Sequence, residues 1–231
     1  EAQEMSKHLL GNNRLIDLSA DFRLEDPKNY KKWYNLNHKS VKNISNSVYA
    51  LPEINKKILS KYKIIACPGC YPTSILLPLT PLLKKKLISH TNIIIDSKSG
   101  YSGAGRGIYK KHAKKNLYES LSAYGVGWHR HNSEIQQELS KVCKKRFKFN
   151  FTPHLAPMFR GILSTIYVDI NKKADAKSIF SSLKKQYKNN IFVKLAKFNT
   201  AISTNDVNNT NNCLISVCKT KYENKIIILS A

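Results

Sequence analysis

Lys63-Ile64-Ile65-Ala66-Cys67-Pro68-Gly69-Cys70-Tyr71-Pro72-Thr73-Ser74 is the stretch that decides the fold. Lys63 to Ala66, apolar from Ile64 onward, reads as a buried strand. Pro68-Gly69 interrupts it, and Pro72 stands where a proline suits the opening turn of a helix. The apolar residues that follow, to about Leu87, continue that helix. A strand passing through a Pro-Gly turn into a helix is the βα unit of an α/β fold, and it leaves Cys70 at the helix opening. Backbone N–H groups there favour an anion, so the sequence predicts a thiol of lowered pKa. Strand-to-helix turns are also where α/β folds display nucleophiles. Two other readings stand beside this one. A free cysteine is most often a buried packing residue. Cys67-Pro68-Gly69-Cys70 also has the C-x-x-C spacing of thiol–disulfide redox proteins.

Outward from that unit, residues 14–18 read as a strand, residues 24–50 as loop with a short helix, and Leu51-Pro52-Glu53 as the start of a helix to about Tyr62. Asn92 to Asp96 is an Ile-rich strand that ends in a glycine-rich loop, Ser97 to Gly107. Residues 109–122 have a helical pattern, and Ser133 is the expected cap of a helix running through Leu139. Strands are expected at 147–155, at 162–170 with alternation at Ile162, Ser164, Ile166, Val168 and Ile170, and at 191–198, 213–219 and 226–230. Lys177 to Lys188 is a helix candidate. Strands massed late in the chain predict an α/β piece followed by an α+β domain.

The chain has 231 residues and a formal net charge of +24. The basic residues are scattered as pairs such as Lys56-Lys57 and Lys144-Lys145, with no single stripe, so no nucleic-acid partner is expected. No apolar run reaches the roughly 18 residues of a membrane span. The longest, Tyr71 to Leu83, is broken by prolines, and no membrane partner is expected. Five cysteines, an odd number, with no secretory signal predict free thiols in a reducing, cytoplasmic setting. Cys213 and Cys218 have the wrong spacing for a zinc ribbon, and no metal is expected. Only six of the 39 basic residues are arginine. Where lysine serves for surface charge, Arg23, Arg106, Arg130 and Arg160 point to a need for the planar fork that grips carboxylate or phosphate.

Three further features carry chemistry. His129-Arg130-His131 follows a glycine-containing loop, where an imidazole can serve a distant cysteine as base. Ser99 to Gly107 can bring backbone close to a phosphate or a nicotinamide. No G-x-G-x-x-G turn follows a first strand, so a dinucleotide's pyrophosphate turn is expected upstream of residue 1.

Taken together these segments resemble N-acetyl-γ-glutamyl-phosphate reductase, an NADPH-dependent family of arginine biosynthesis. The likeness rests on Asp17-Leu18-Ser19-Ala20-Asp21-Phe22-Arg23-Leu24, Val48-Tyr49-Ala50-Leu51-Pro52-Glu53 and Pro68-Gly69-Cys70-Tyr71-Pro72-Thr73. It continues through Ser99 to Arg106, His129-Arg130-His131 with Glu134-Ile135, and Pro153 to Met158 with Arg160-Gly161-Ile162. The resemblance implies the remainder of a Rossmann-type nucleotide domain over 1–69, its first half lying outside the chain. It implies an α+β catalytic and dimerisation domain with a mixed, largely antiparallel sheet over 70–231. It implies that Cys70 attacks an acyl phosphate to form a thioester, that NADP is the cofactor, and that His129 is the general acid/base. Arg23, Arg106, Arg160 and His131 are then the candidates for holding substrate, with Ser19, Ser99, Gly100 and Gly103 near the cofactor. A homo-oligomer is implied as well. Two positions depart from the family's pattern: Ser133 stands where Pro is usual, and Cys67 where Asn is common. The rival within the same chemistry is a carrier-linked aminoadipyl-phosphate reductase of lysine biosynthesis. Outside it stand a thiol–disulfide oxidoreductase and a basic nucleic-acid-binding module.

Overall fold

The decisive stretch folds as strand, turn and helix: β3 (Ile64–Ala66) passes through Cys67-Pro68-Gly69 into α4 (Cys70–Lys84). The structure, a computed structural model, describes residues 1–104 and 119–231. β3 is the middle strand of a small parallel sheet, between β1 (Leu15–Asp17) and β2 (Ser47–Tyr49). Helices α1 (Ala2–Leu9), α2 (Pro27–Tyr34) and α3 (Pro52–Leu59) accompany it. A parallel sheet with accompanying helices is the fold class that the resemblance implies for this part.

The second part is a seven-stranded mixed sheet in the order β5-β6-β4-β7-β10-β9-β8. Its strands are β4 (Ile93–Ser99), β5 (Ser122–Ala123), β6 (Phe149–Leu155), β7 (Ile162–Asp169), β8 (Val193–Leu195), β9 (Cys213–Lys219) and β10 (Lys225–Ser230). The β4–β6 and β8–β9 pairs are parallel and the rest antiparallel. Two helices, α5 (His131–Cys143) and α6 (Ala176–Gln186), pack with α4 against this sheet.

α4 is apolar on every side, and only Cys70, Thr73 and Lys84 escape burial. A helix with no polar face must lie inside the protein, and α4 forms the core with Ile135, Leu139, Ile166, Ile179 and Leu183. It is located on the sheet by buried hydroxyls. Ser74 Oγ lies 2.8 Å from Ser164 Oγ on β7, which lies 2.7 Å from Ser97 Oγ on β4. Pro78 and Pro81 sit within the helix, and each removes an N–H donor. Pro81 would leave the Leu77 carbonyl without its helical partner. The buried Tyr187, just after α6, donates its hydroxyl to that carbonyl at 2.6 Å.

Several expectations from sequence move. α4 begins at Cys70 rather than Pro72. α5 begins two residues before Ser133, whose hydroxyl donates back to the Arg130 carbonyl instead of capping the helix. The strand expected at 191–198 shrinks to Val193–Leu195. Most of the helix expected at 109–122 lies outside the described residues, and Ser122–Ala123 form an edge strand.

Tyr187→Phe leaves the Leu77 carbonyl buried and unpaired. Urea unfolding should show a loss of about 1–3 kcal/mol, while Tyr62→Phe at the exit of α3 should show none.

Candidate active site

Glu134, in the first turn of α5, is fully buried and holds the site together. Its carboxylate accepts from the Gly69 N–H at 2.9 Å, the Tyr49 hydroxyl at 2.9 Å and Arg23 Nη1 at 3.2 Å. One side chain thus joins α5, β2, the segment after β1 and the turn that carries Cys70. Burial pushes the Glu134 carboxyl upward, while Arg23 and the two hydrogen bonds pull it back.

Cys70 is the first residue of α4, following Gly69 in extended conformation. Its surface is exposed, and it borders two cavities. Burial raises the thiol pKa, and the backbone N–H groups of Tyr71 and Cys70 only partly offset that. The lowered pKa expected from the helix opening is therefore corrected: desolvation outweighs the helix-end field in the resting site. The N–H groups remain in place to stabilise the thiolate once it forms.

His129 faces the same cavity, packed edge-on against Tyr71, Tyr124, His131 and Phe151. Its pKa is lowered to about 4, chiefly by burial and then by Arg130. Its Nδ1 accepts the His131 backbone N–H at 3.2 Å. The neutral ring accordingly carries its proton on Nε2. His131 is lowered to about 3 by burial, with His129, Arg23 and Arg130 adding to it. Its ring lies directly over Gly69, where an added Cβ would stand 2.4 Å from Nε2. Glycine is therefore required at the turn before the cysteine.

The cavity at Cys70 measures about 330 Å³ and is bordered by Arg23, Ser99, Tyr124, His129 and Arg130. A second, of about 300 Å³, shares Cys70, Ser99 and Gly103 and extends to Ser102, Arg160 and Asn212. His131 and Gly100 also line the first cavity. The structure thus brings together Cys70, His129, His131, Arg23, Ser99, Gly100 and Gly103, with Arg160 across the second cavity. Arg106 lies outside the described residues.

Three expectations meet geometry that constrains them. Arg23 donates from Nε to the Cys67 carbonyl, from Nη1 to Glu134 and from Nη2 to the Leu18 carbonyl. Most of its fork is thereby engaged inside the protein. The loop after β4 offers little free backbone: the N–H groups of Gly100, Tyr101 and Ser102 donate to Gly161, Met158 and Phe159. Ser19 donates to the buried Asp17 at 2.6 Å and lines neither cavity. Cys67 lines neither cavity too, and all five cysteines are free. Among the described residues no cluster of His, Cys, Asp and Glu could hold a metal, and no helix is long and apolar enough to cross a membrane.

Sequence reasoning gave no role to Glu134, Tyr71 or Tyr124. Tyr71 and Tyr124 share a hydrogen bond at 2.9 Å in the wall of the first cavity. The legible signal was the acid three residues after His131, one helical turn on.

Residues 70–231 match the family described as semialdehyde dehydrogenase, dimerisation domain. The chain is 43% identical over 228 residues to a probable chloroplastic N-acetyl-gamma-glutamyl-phosphate reductase of Arabidopsis thaliana, covering 99% of the chain and 57% of that protein. It is 41% identical to the N-acetyl-gamma-glutamyl-phosphate reductase of Clostridium novyi, covering 98% of the chain and 66% of that protein. It is 43% identical to the N-acetyl-gamma-glutamyl-phosphate reductase of Alkaliphilus metalliredigens, covering all of the chain and 67% of that protein. The chain thus spans between 57% and 67% of the length of these relatives. Aspartate semialdehyde dehydrogenase from Francisella tularensis shares the fold, with a TM-score of 0.70 at 15% identity over 99% of this chain and 71% of that one. A second such enzyme, from Vibrio cholerae, gives 0.67 at 16% identity over 93% and 65%.

Glu134→Gln keeps the size of the side chain but leaves Arg23 without its counter-charge. Chemical unfolding should show a loss of about 3 kcal/mol or more, and an unchanged midpoint would refute the pillar. The buried histidines fix a pH dependence of stability. Below pH 6.5, the ordinary histidine value, the unfolded chain gains protons that folded His129 refuses until about pH 4. Stability should therefore fall as pH drops from about 6.5 to 4, and His129→Gln should flatten that slope in unfolding titrations.

Proposed function

The chain, whose residues 70–231 match the semialdehyde dehydrogenase dimerisation domain, belongs to the N-acetyl-gamma-glutamyl-phosphate reductases, and on that premise we propose that it reduces N-acetyl-γ-glutamyl phosphate to the 5-semialdehyde and phosphate through a thioester on Cys70. The observation that carries the reading is the shared cavity of Cys70 and His129, with Cys70 at a helix opening. We divide the chain into a nucleotide-domain remainder, 1–69, and a catalytic and oligomerisation domain, 70–231. The domain class supports assembly with a second copy, and free thiols support a reducing, cytoplasmic setting.

The residues of the second cavity fit the nicotinamide end of NADP, since Ser99 and Gly103 line both cavities and the hydroxyl of Ser102 and amide of Asn212 add polar groups. Among the described residues no glycine-rich turn follows β1 to hold a pyrophosphate. NADPH, when bound, supplies hydride to the carbonyl carbon.

In the first half-reaction the Cys70 thiolate attacks the acyl carbon, the carbon–oxygen bond to phosphate breaks, and phosphate leaves. The N–H groups of Cys70 and Tyr71 stabilise the thiolate before attack. In the second, the hemithioacetal oxyanion collapses, the carbon–sulfur bond breaks, and the aldehyde leaves with Cys70 restored as thiolate. His129 is poised as a donor: its Nε2–H stabilises the oxyanion in both halves, as a buried neutral imidazole can. The proton that the Cys70 thiol loses ends on the departing phosphate, and the thiolate takes from solvent the one proton that the overall reaction consumes when the thiol is restored. Arg130, beside His129, joins Arg160 and Arg106 as a candidate grip for phosphate and carboxylate. Arg23 and His131 act mainly by positioning, through Glu134 and Gly69.

The full-length gene product, given N-acetylglutamate semialdehyde, phosphate and NADP, should form NADPH at 340 nm. Activity should require phosphate, vanish in Cys70→Ala and survive in Cys67→Ala. Equal loss in both cysteine variants would favour thiol–disulfide chemistry. Activity only with the carrier-linked aminoadipate analogue would transfer the reading to lysine biosynthesis.

A further inference from the structure

α2 is a short helix with firm ends. Asp26 accepts from the Lys28 N–H at its start, and Asn35 in left-handed conformation returns its N–H to Lys31 at its end. Its last three residues, Lys32, Trp33 and Tyr34, all reach the segment that carries His129. The Trp33 and Trp128 rings are stacked, with centroids 4.2 Å apart and planes within 16°. The Lys32 ammonium stands 5.5 Å from the Trp128 ring. The Arg130 guanidinium lies 5.6 Å from the centre of the Tyr34 ring, itself stacked on Tyr30 at 4.8 Å. The helix end therefore grips the residue before His129 and the residue after it.

That segment is otherwise held at its start, by the edge strand β5 on β6 and by the Tyr124 hydroxyl on that of Tyr71 at 2.9 Å. Residues 121–128 are all exposed, and Gly125 and Gly127 take left-handed φ values of 55° and 71°. Its backbone ties are the short β5–β6 pairing of Ser122 and Ala123 with Leu155 and His154, a turn bond from the Trp128 N–H to the Gly125 carbonyl and one from the Tyr124 N–H to the Pro153 carbonyl. The His129 ring makes its one hydrogen bond, among the described residues, to the neighbouring His131 backbone. Among the described residues no carboxylate is seen to hydrogen-bond the ring, as one usually does to orient a catalytic imidazole. Packing has to do that work.

We infer that the Trp33–Trp128 stack, with Arg130 on Tyr34 as its second limb, is a clasp that positions the His129 imidazole in the cavity it shares with Cys70. Trp33 is a positioning residue: it lines up the segment and borders neither cavity at Cys70, whereas Tyr34 also lines the cavity of Cys70 and His129. The clasp also ties the nucleotide-domain remainder to the catalytic domain at the point where His129 is set. The inference rests on the reaction proposed above only for its effect on rate.

The chain contains two tryptophans, and both are in the stack, so the contact has its own signal. The difference between the circular dichroism of the full-length protein and that of its Trp33→Ala variant should be an exciton couplet. In that variant, diethyl pyrocarbonate should modify His129 more than threefold faster relative to the exposed His8 of the same molecule, as read by peptide mass spectrometry. kcat should fall about two- to tenfold, the range expected for one aromatic pair, with KM for the aldehyde nearly unchanged. Trp33→Phe keeps a ring to stack and should restore both His129 protection and kcat, although the couplet stays absent. If Trp33→Ala does not fold at assay temperature, Trp33→Leu, which keeps apolar contact without a stacking face, takes its place. Unchanged His129 reactivity and unchanged kcat in the variant without the ring would overturn the clasp. An inactive wild type would instead overturn the proposed reaction, and His129 reactivity would still decide the clasp.

Discussion

A single buried carboxylate carries the architecture of the site. Glu134 has no exposed surface and meets three donors, from Gly69, Tyr49 and Arg23. A charge so placed is costly unless every lone pair is used, and here the partners come from three separate stretches of chain. That requirement fixes where α5 begins relative to the cysteine turn. It also explains why Arg23 and Gly69 are needed at their positions: one supplies the counter-charge and the other a backbone donor beneath the His131 ring. Cys70 is positioned by its neighbours' bonds more than by any of its own.

The same burial that makes Glu134 effective sets the electrostatics of the reacting groups. The Cys70 thiol is raised and His129 lowered to about 4, so desolvation drives both towards their neutral forms. A thiol and a neutral imidazole are the resting pair. A donor on Nε2 suits chemistry in which negative charge develops on an oxygen, and low dielectric strengthens such a bond. Acid catalysis by a resting imidazolium would need a less buried ring.

α4 shows how the fold delivers this turn to the right place. Its prolines would be faults in an exposed helix, yet one of the carbonyls they leave without a helical donor is met by Tyr187 from beyond α6. The serine chain Ser74–Ser164–Ser97 then locates the helix on the sheet. The helix that begins with the cysteine is in this way referenced to β4 and β7, which also lead into the cavity-lining Ser99 and from Arg160.

Much of this was legible in the sequence because it is local. The strand, Pro-Gly turn and helix around Cys70 follow from apolar runs and the conformational limits of proline and glycine, and the alternation at 162–170 follows from the two-residue period of a strand. The motifs named Cys70, His129 and the arginines because chemistry restricts which side chains can serve. What the sequence could not contain were quantities that depend on distant neighbours. The thiol pKa went the other way because burial is a property of the packed cleft, not of a helix opening. Arg23, read as a grip for substrate, is largely engaged with Glu134 and two carbonyls, partners 111, 44 and 5 residues away. The Trp33–Trp128 stack joins positions with no periodic relation. The sequence by itself determined which elements form and which side chains can react. Only the tertiary structure decided their protonation, their partners and what holds them still, because those depend on desolvation and contact between segments that the chain order keeps apart.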